Sequence, residues 1–173
     1  EIGLQIANKP DSQDICFVSD DDYASFIEEE SNQKIPEGNF VTPDGKILGR
    51  HKGIIHYTIG QRKGLGLSLG YPAFVLEIRP DTNEVVIGTN EDLMTTRVRA
   101  NKLNFMTVEE LEGEMRVFAK IRYNHKGDWC TVRKTGEDEI ECIFETPQRA
   151  VTPGQALVLY DGDYVLGGGT ILG

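Results

Sequence analysis

Cys16 has the clearest chemical capacity in the chain. It lies in the apolar run Ile15-Cys16-Phe17-Val18, between Asp11-Ser12-Gln13-Asp14 and Ser19-Asp20-Asp21-Asp22. A thiolate there can attack an electrophile or carry a second sulfur. Asp14, Asp20, Asp21 and Asp22 oppose its ionisation, whereas the amino end of a following helix favours it. An inert buried thiol fits the same apolar setting, so a reactive role needs a partner thiol. Cys130 and Cys142 fall on two strand-like segments around Thr135-Gly136-Glu137-Asp138. They alternate with Thr131 and Ile143 and read as small core residues able to face each other across a hairpin. Three cysteines, no Cys-x-x-Cys and three histidines support neither a disulfide framework nor a zinc site, so no metal is expected and a reducing cytoplasmic setting fits.

The densest motif is Ile59-Gly60-Gln61-Arg62-Lys63-Gly64-Leu65-Gly66. Its glycines permit positive φ or close backbone approach, and Arg62 and Lys63 place charge between them, as an anion or RNA contact requires. A glycine-bent hairpin explains the motif equally well. It lacks the Gly-Lys-Ser/Thr of a phosphate loop and has the wrong glycine spacing for a dinucleotide fingerprint. His51 and His56 lie nearby without a third ligand or an orienting acid, and no Gly-x-Ser-x-Gly elbow occurs.

The elements that must hold these residues are mostly short strands. Ser19 can cap a helix from about residue 20 to about residue 30, whose apolar face is Tyr23, Phe26 and Ile27. From Pro36 the period changes to two, with turn residues between the runs. Phe74–Ile78 and Glu84–Gly88 flank Pro80-Asp81-Thr82-Asn83, the composition of a hairpin. Further strands are expected at 98–103, 115–123, 129–134, 140–145, 155–160 and 164–166, the last running into Gly167-Gly168-Gly169, with at most one helical turn at 107–111. The expected fold is mainly β. A small central β domain over 34–92, preceded by a cysteine loop and helix over 1–33, leads into an antiparallel β-barrel of about six strands over 93–173.

The 173 residues carry 18 Lys+Arg and 28 Asp+Glu, a net charge of −10, which in total argues against a polyanionic partner. The distribution weakens that inference. Residues 1–33 hold one base and nine acids (net −8), 34–92 hold seven of each, and 93–173 hold ten bases and twelve acids (net −2). No acid lies between Asp44 and Glu77, where Lys46, Arg50, Lys52, Arg62 and Lys63 fall. From Met115 to Lys134, six bases face Asp128 alone. Basic stretches interleaved with Tyr57, Tyr123 and Trp129 suit phosphate and base contacts; solvated strand faces also carry Lys and Arg. No run of about 18 apolar residues occurs, so no membrane span or secretory signal is expected. The chain starts at Glu1 rather than Met and is expected to be a piece of something longer.

Five segments in order, Asp11–Phe17, His56–Gly66, Lys120-Ile121-Arg122-Tyr123, Thr152-Pro153-Gly154-Gln155-Ala156 and Leu166–Gly169, closely resemble the tRNA-specific 2-thiouridylase family. The resemblance implies an ATP-consuming sulfurtransferase that places sulfur at position 2 of the wobble uridine of certain tRNAs. It implies that this chain is the central and carboxy-terminal part. The PP-loop signature Ser-Gly-Gly-x-Asp-Ser and the family's first catalytic cysteine are absent, so ATP with Mg would belong to an amino-terminal domain. Cys16 matches the family's second cysteine, which carries the persulfide and can pair with the first. Arg122, Tyr123 and Gln155 match tRNA contacts, while Arg62 and Lys63 lie in the most recognisable stretch without an assigned contact. The implied partners are tRNA and a persulfide-donating carrier or cysteine desulfurase. Two other classes fit the same residues, a non-catalytic RNA-binding barrel and a thiol-relay module that binds proteins.

Overall fold

A computed structural model of the chain describes residues 26, 27, 30, 35–107, 111 and 113–173. The chain divides into two compact units, Glu1–Pro36 and Glu37–Gly173. In the first, Phe26, Ile27 and Glu30 are helical. The rest of the expected helix and Cys16 lie outside the described residues, as does most of the expected turn at 107–111.

The second unit contains two sheets. Strands β1 (Gly38–Val41), β2 (Ile47–His51), β3 (Phe74–Arg79) and β4 (Glu84–Gly88) form a sheet in the order β2-β1-β4-β3. The β1–β2 connection bends at Gly45 (φ 88°), whose N–H donates to Thr42 O at 2.9 Å. The expected β3–β4 hairpin is present, with Asn83 at positive φ (53°) before β4. The sheet is mixed, because β1 and β4 run parallel with Phe40 beside Val85. Phe40, Tyr57, Leu65, Val75, Val85 and Ile87 form its core.

Strands β5 (Met94–Phe105), β6 (Glu114–Lys120), β7 (Asp128–Gly136), β8 (Glu139–Arg149), β9 (Ala156–Asp161) and β10 (Tyr164–Ile171) close into an antiparallel barrel, β10-β5-β8-β7-β6-β9. Closure leaves no open sheet edge to cap. Alternate residues point inward, so Val117, Ala119, Cys130, Val132, Ile140, Cys142, Leu157 and Leu159 fill the interior. Cys142 stands opposite Val132 and Cys130 opposite Phe144, so the two cysteines are diagonal neighbours; both are free and buried.

Several boundaries differ from expectation, β5 beginning at Met94 and β8 continuing to Arg149 among them, and two others have a local physical reason. Strand β10 continues through Gly167-Gly168-Gly169 to Ile171, because it passes so close to β9 and β5 that a Cβ at Gly168 would collide with Leu157 O and one at Gly167 with Asn104 O. Strand β6 ends at Lys120, so Arg122 and Tyr123 occupy a turn rather than a strand. No helix among the described residues is long and apolar enough to cross a membrane.

Candidate nucleic-acid interface

The strand directions gather several expected contact residues at one end of the barrel. That end is formed by the last residues of β6, β8 and β10 and the first of β5, β7 and β9. Arg122 and Tyr123 lie in the turn after β6, and Gln155 immediately precedes β9. Lys120 pairs with Val158. That pair brings the turn after β6, with Arg122 and Tyr123, to the same end as the start of β9, which Gln155 precedes.

Each position has a local cause. Thr152-Pro153-Gly154-Gln155 is a turn with proline second and glycine third at φ 85°, closed by Gln155 N–H donating to Thr152 O at 3.2 Å. Gln155 O accepts from Ile171 N–H at 2.8 Å, which ties the turn to the end of β10. Across the end, Arg122 Nη1 donates to Arg149 O at 3.2 Å. Tyr123 is 73% exposed.

Asp128 organises the floor of this region. One carboxylate oxygen accepts from Thr146 N–H, the Thr146 hydroxyl and Gln148 Nε2; the other accepts from Trp129 N–H. These bonds, with the Thr146 hydroxyl foremost, hold its pKa below the usual carboxylate range. They also fill the irregular stretch of β8 that ends at Arg149, where pairing with β5 slips between Thr95 and Arg97. His125 lies in the same turn, with its pKa lowered by burial and then by the Arg122 charge.

Arg149 joins this end to the glycine motif, a role that sequence reasoning missed. Its Nε donates to Asn90 Oδ1 at 3.0 Å, and its guanidinium lies 5.2 Å from the Phe74 ring centre. A Cβ on Gly60 would lie 3.0 Å from the Ala150 side chain and 3.4 Å from Arg149 Nη1. The glycine at φ 86° therefore admits the β8 corner. Gly60 N–H donates to Val75 O and Val75 N–H to Gln61 O, at 2.8 and 3.0 Å. The Gln61 side chain accepts from Thr58 N–H and donates to Lys63 O. With the loop's backbone thus secured, Arg62 and Lys63 remain exposed two and three residues beyond the Arg149 contact. Beyond them, residues from Arg62 to Ala73 surround an open concavity of about 490 Å³.

The strand arginines and the cations at this end differ in their pairing. On the strands, Arg79, Arg97, Arg99, Arg116 and Arg133 each pair with a glutamate at 3.2 Å or less. Buried Glu141 serves both Arg97 and Arg133. Among the described residues, Arg62, Lys63, Lys120, Arg122, Lys126 and Arg149 form no ion pair, nor do Lys46, Lys52 and Lys102 elsewhere. Of the six bases from Met115 to Lys134, Arg116 and Arg133 are therefore neutralised on the wall, while Lys120, Arg122 and Lys126 form no ion pair at the end. His51 has a different task, since it is buried, accepts from Gly53 N–H through Nδ1 at 3.1 Å and donates through Nε2 to Asn83 O at 3.2 Å.

Two family models match the chain: a tRNA methyl transferase PRC-barrel domain over residues 24–89 and an aminomethyltransferase β-barrel domain over 95–171. The chain is 68% identical over 172 residues to the tRNA-specific 2-thiouridylase MnmA of Lachnoclostridium phytofermentans, covering 99% of this chain and 48% of that protein. It is 52% identical over 171 residues to the tRNA-specific 2-thiouridylase MnmA of Clostridioides difficile, covering 99% and 47%. For that of Acetivibrio thermocellus the identity is 51% over 171 residues, covering 99% and 48%. The chain spans about half the length of these curated relatives.

Proposed function

The chain belongs to the tRNA-specific 2-thiouridylase family, and from that premise we propose that it is the tRNA-gripping and sulfur-bearing part of an enzyme that makes 2-thiouridine at the wobble position. The observation that carries the reading is the cluster of cations without an ion pair at one end of the barrel. Glutamates neutralise the wall arginines, while Lys120, Arg122, Lys126 and Arg149 stand without an ion-pair partner among the described residues, at the end that also bears Tyr123 and Gln155. Exchanging condensed counterions for such cations is what draws a protein onto a phosphate backbone. Arg62 and Lys63 extend the same surface through the Gly60–Arg149 contact.

Cys16 is the sulfur carrier in this reading. Adenylation of the uracil oxygen, using ATP bound in the remainder of the longer protein, opens C2 to attack by the outer sulfur of a Cys16 persulfide. AMP then leaves, and a second cysteine thiol takes the place of the departing sulfur on Cys16 to give a disulfide. A persulfide-donating carrier or cysteine desulfurase reloads Cys16 after reduction.

Titration of the 173-residue chain with a tRNA transcript over a range of salt tests the binding part. We expect affinity to fall steeply with salt; an affinity indifferent to salt, or no binding, overturns the reading. By itself the chain forms no 2-thiouridine from ATP and a sulfur donor, and formation of that product would overturn the division of labour.

A further inference from the structure

On the outer wall of the barrel, the register of β9, β6 and β7 sets three aromatic residues in one row. Phe118 stands opposite Tyr160 on one side and Trp129 on the other. It alternates with buried Val117 and Ala119, so the row faces outward. Phe118 and Trp129 meet edge to face with ring centres 5.7 Å apart. Gly127, at φ 83°, bears no side chain where the Phe118 ring rests, which seats the middle of the row.

A cation flanks each outer ring. The Arg116 guanidinium lies 4.2 Å from the Trp129 ring centre and is held there by its 2.7 Å pair with Glu145. Lys120 Nζ lies 5.9 Å from the Tyr160 ring centre and forms no ion pair with a described residue. Cross-strand packing accounts for the Phe118 contacts, yet Trp129 remains 39% exposed. Lys120 is the last residue of β6, two before Arg122, so the row joins the cationic end of the barrel without a break.

We propose that this row carries the RNA footprint from the barrel end onto the β7-β6-β9 wall. An unpaired base stacks on the Trp129–Arg116 layer and a neighbouring phosphate meets Lys120. Aromatic faces and guanidinium planes accept any base, and cations between them suit the backbone. A protein surface is the other possible occupant of such a wall. Continuity with the cationic end, and a lysine lacking an acid, favour RNA. The inference rests on the RNA reading above and adds a location to it.

Trp129 is the sole tryptophan of the chain, so its fluorescence reports on this site alone. Titration with an unmodified tRNA transcript is expected to quench that emission in step with binding measured by filter retention. Trp129→Leu should weaken binding about tenfold, and Trp129→Phe, which keeps a stacking ring, by much less. Equal melting temperatures for the three proteins establish that folding is unaffected; if Trp129→Leu fails to fold, quenching and the Trp129→Phe affinity decide. Binding that is weakened by Arg122→Ala while Trp129 emission stays unmoved by RNA overturns this inference and leaves the barrel-end reading intact. A chain that binds no RNA overturns both. Emission that responds only when the remainder of the longer protein is added identifies a protein-covered wall and overturns the RNA assignment.

Discussion

Arg122 reaches across the end of the barrel to donate from Nη1 to the main-chain oxygen of Arg149 at 3.2 Å. The bond uses one of five guanidinium N–H donors and no counter-charge, so it fixes the side chain's direction while leaving its charge available. Arg149 in turn is held by Asn90 and Phe74 and passes beside Gly60, where a side chain would crowd it. A phosphate-binding arginine held by a carbonyl loses less conformational freedom on binding than a free one.

Arg122→Ala is therefore expected to weaken tRNA binding and lower the slope of log affinity against log salt by about 0.9, the release of one counterion. Arg99→Ala serves as the control, because Arg99 is committed to Glu139 at 2.7 Å. Filter binding at four salt concentrations separates the two. Equal slopes for Arg122→Ala and the parent chain would remove Arg122 from the phosphate contacts.

Gly60→Ala should loosen the junction between the glycine loop and the barrel. The residue holds φ 86°, and its new methyl would stand 3.0 Å from the Ala150 side chain, itself at φ 53°. The left-handed conformation alone costs about 1 kcal/mol for alanine, and relief of the crowding would shift Arg149. Urea denaturation should show a loss of about 1–2 kcal/mol, with tRNA affinity falling alongside it. Gly66→Ala tests the strain separately, since its φ is 67° and no atom lies within 4 Å of the new methyl. It should cost stability without affecting affinity.

Elements made by local pairing were legible, and those made by distant chain segments were not. The β3–β4 hairpin follows from a turn sequence between two β-branched runs. The parallel β1–β4 pair follows from no such signal, because the residues between them contain no helical crossover pattern to announce it. Gly167-Gly168-Gly169 resembles a strand's end and is a strand's interior, since the need for glycine comes from backbones 11 and 63 or more residues away, at Leu157 and Asn104. The basic run from Met115 to Lys134 was visible, but its division required knowing that Arg116 meets Glu145 and Arg133 meets Glu141. Arg149 carries no motif; its carbonyl, which any residue has, orients Arg122.

Acid should erode the small sheet through His51. Burial holds its imidazole below the ordinary value near 6.5, opposed by the Asn83 carbonyl and assisted by Arg50 and His56. The unfolded chain takes up the proton first, so this contribution is complete above about pH 6.5 and is lost as pH falls from there through the folded value, by up to about 1.4 kcal/mol per pH unit. Denaturation at pH 7.5 and 5.5 should show lower stability at 5.5. The difference should shrink in His51→Gln, even if that variant is less stable throughout. An undiminished pH dependence in the variant would assign the effect elsewhere, His125 being the next group with a lowered value.

The thiols should separate by function. Cys130 and Cys142 are fully buried in the barrel, and the adjacent Cys130 thiol together with burial raises Cys142 well above the ordinary thiol range. Burial shields both sulfurs from alkylating reagents, and Cys142 is further held as the unreactive thiol, so the native chain should leave both unmodified under conditions that label them in urea. Cys142→Ala should cost about 1 kcal/mol by emptying a small volume of the core and leave sulfur transfer by the longer protein unchanged. Cys16→Ser in that protein should abolish 2-thiouridine formation while retaining the tRNA affinity and melting temperature of the parent. Mass spectrometry of digested tRNA measures the product. Full thiolation by the Cys16→Ser protein would remove Cys16 from the relay and make the non-catalytic RNA-binding barrel the better description of this chain.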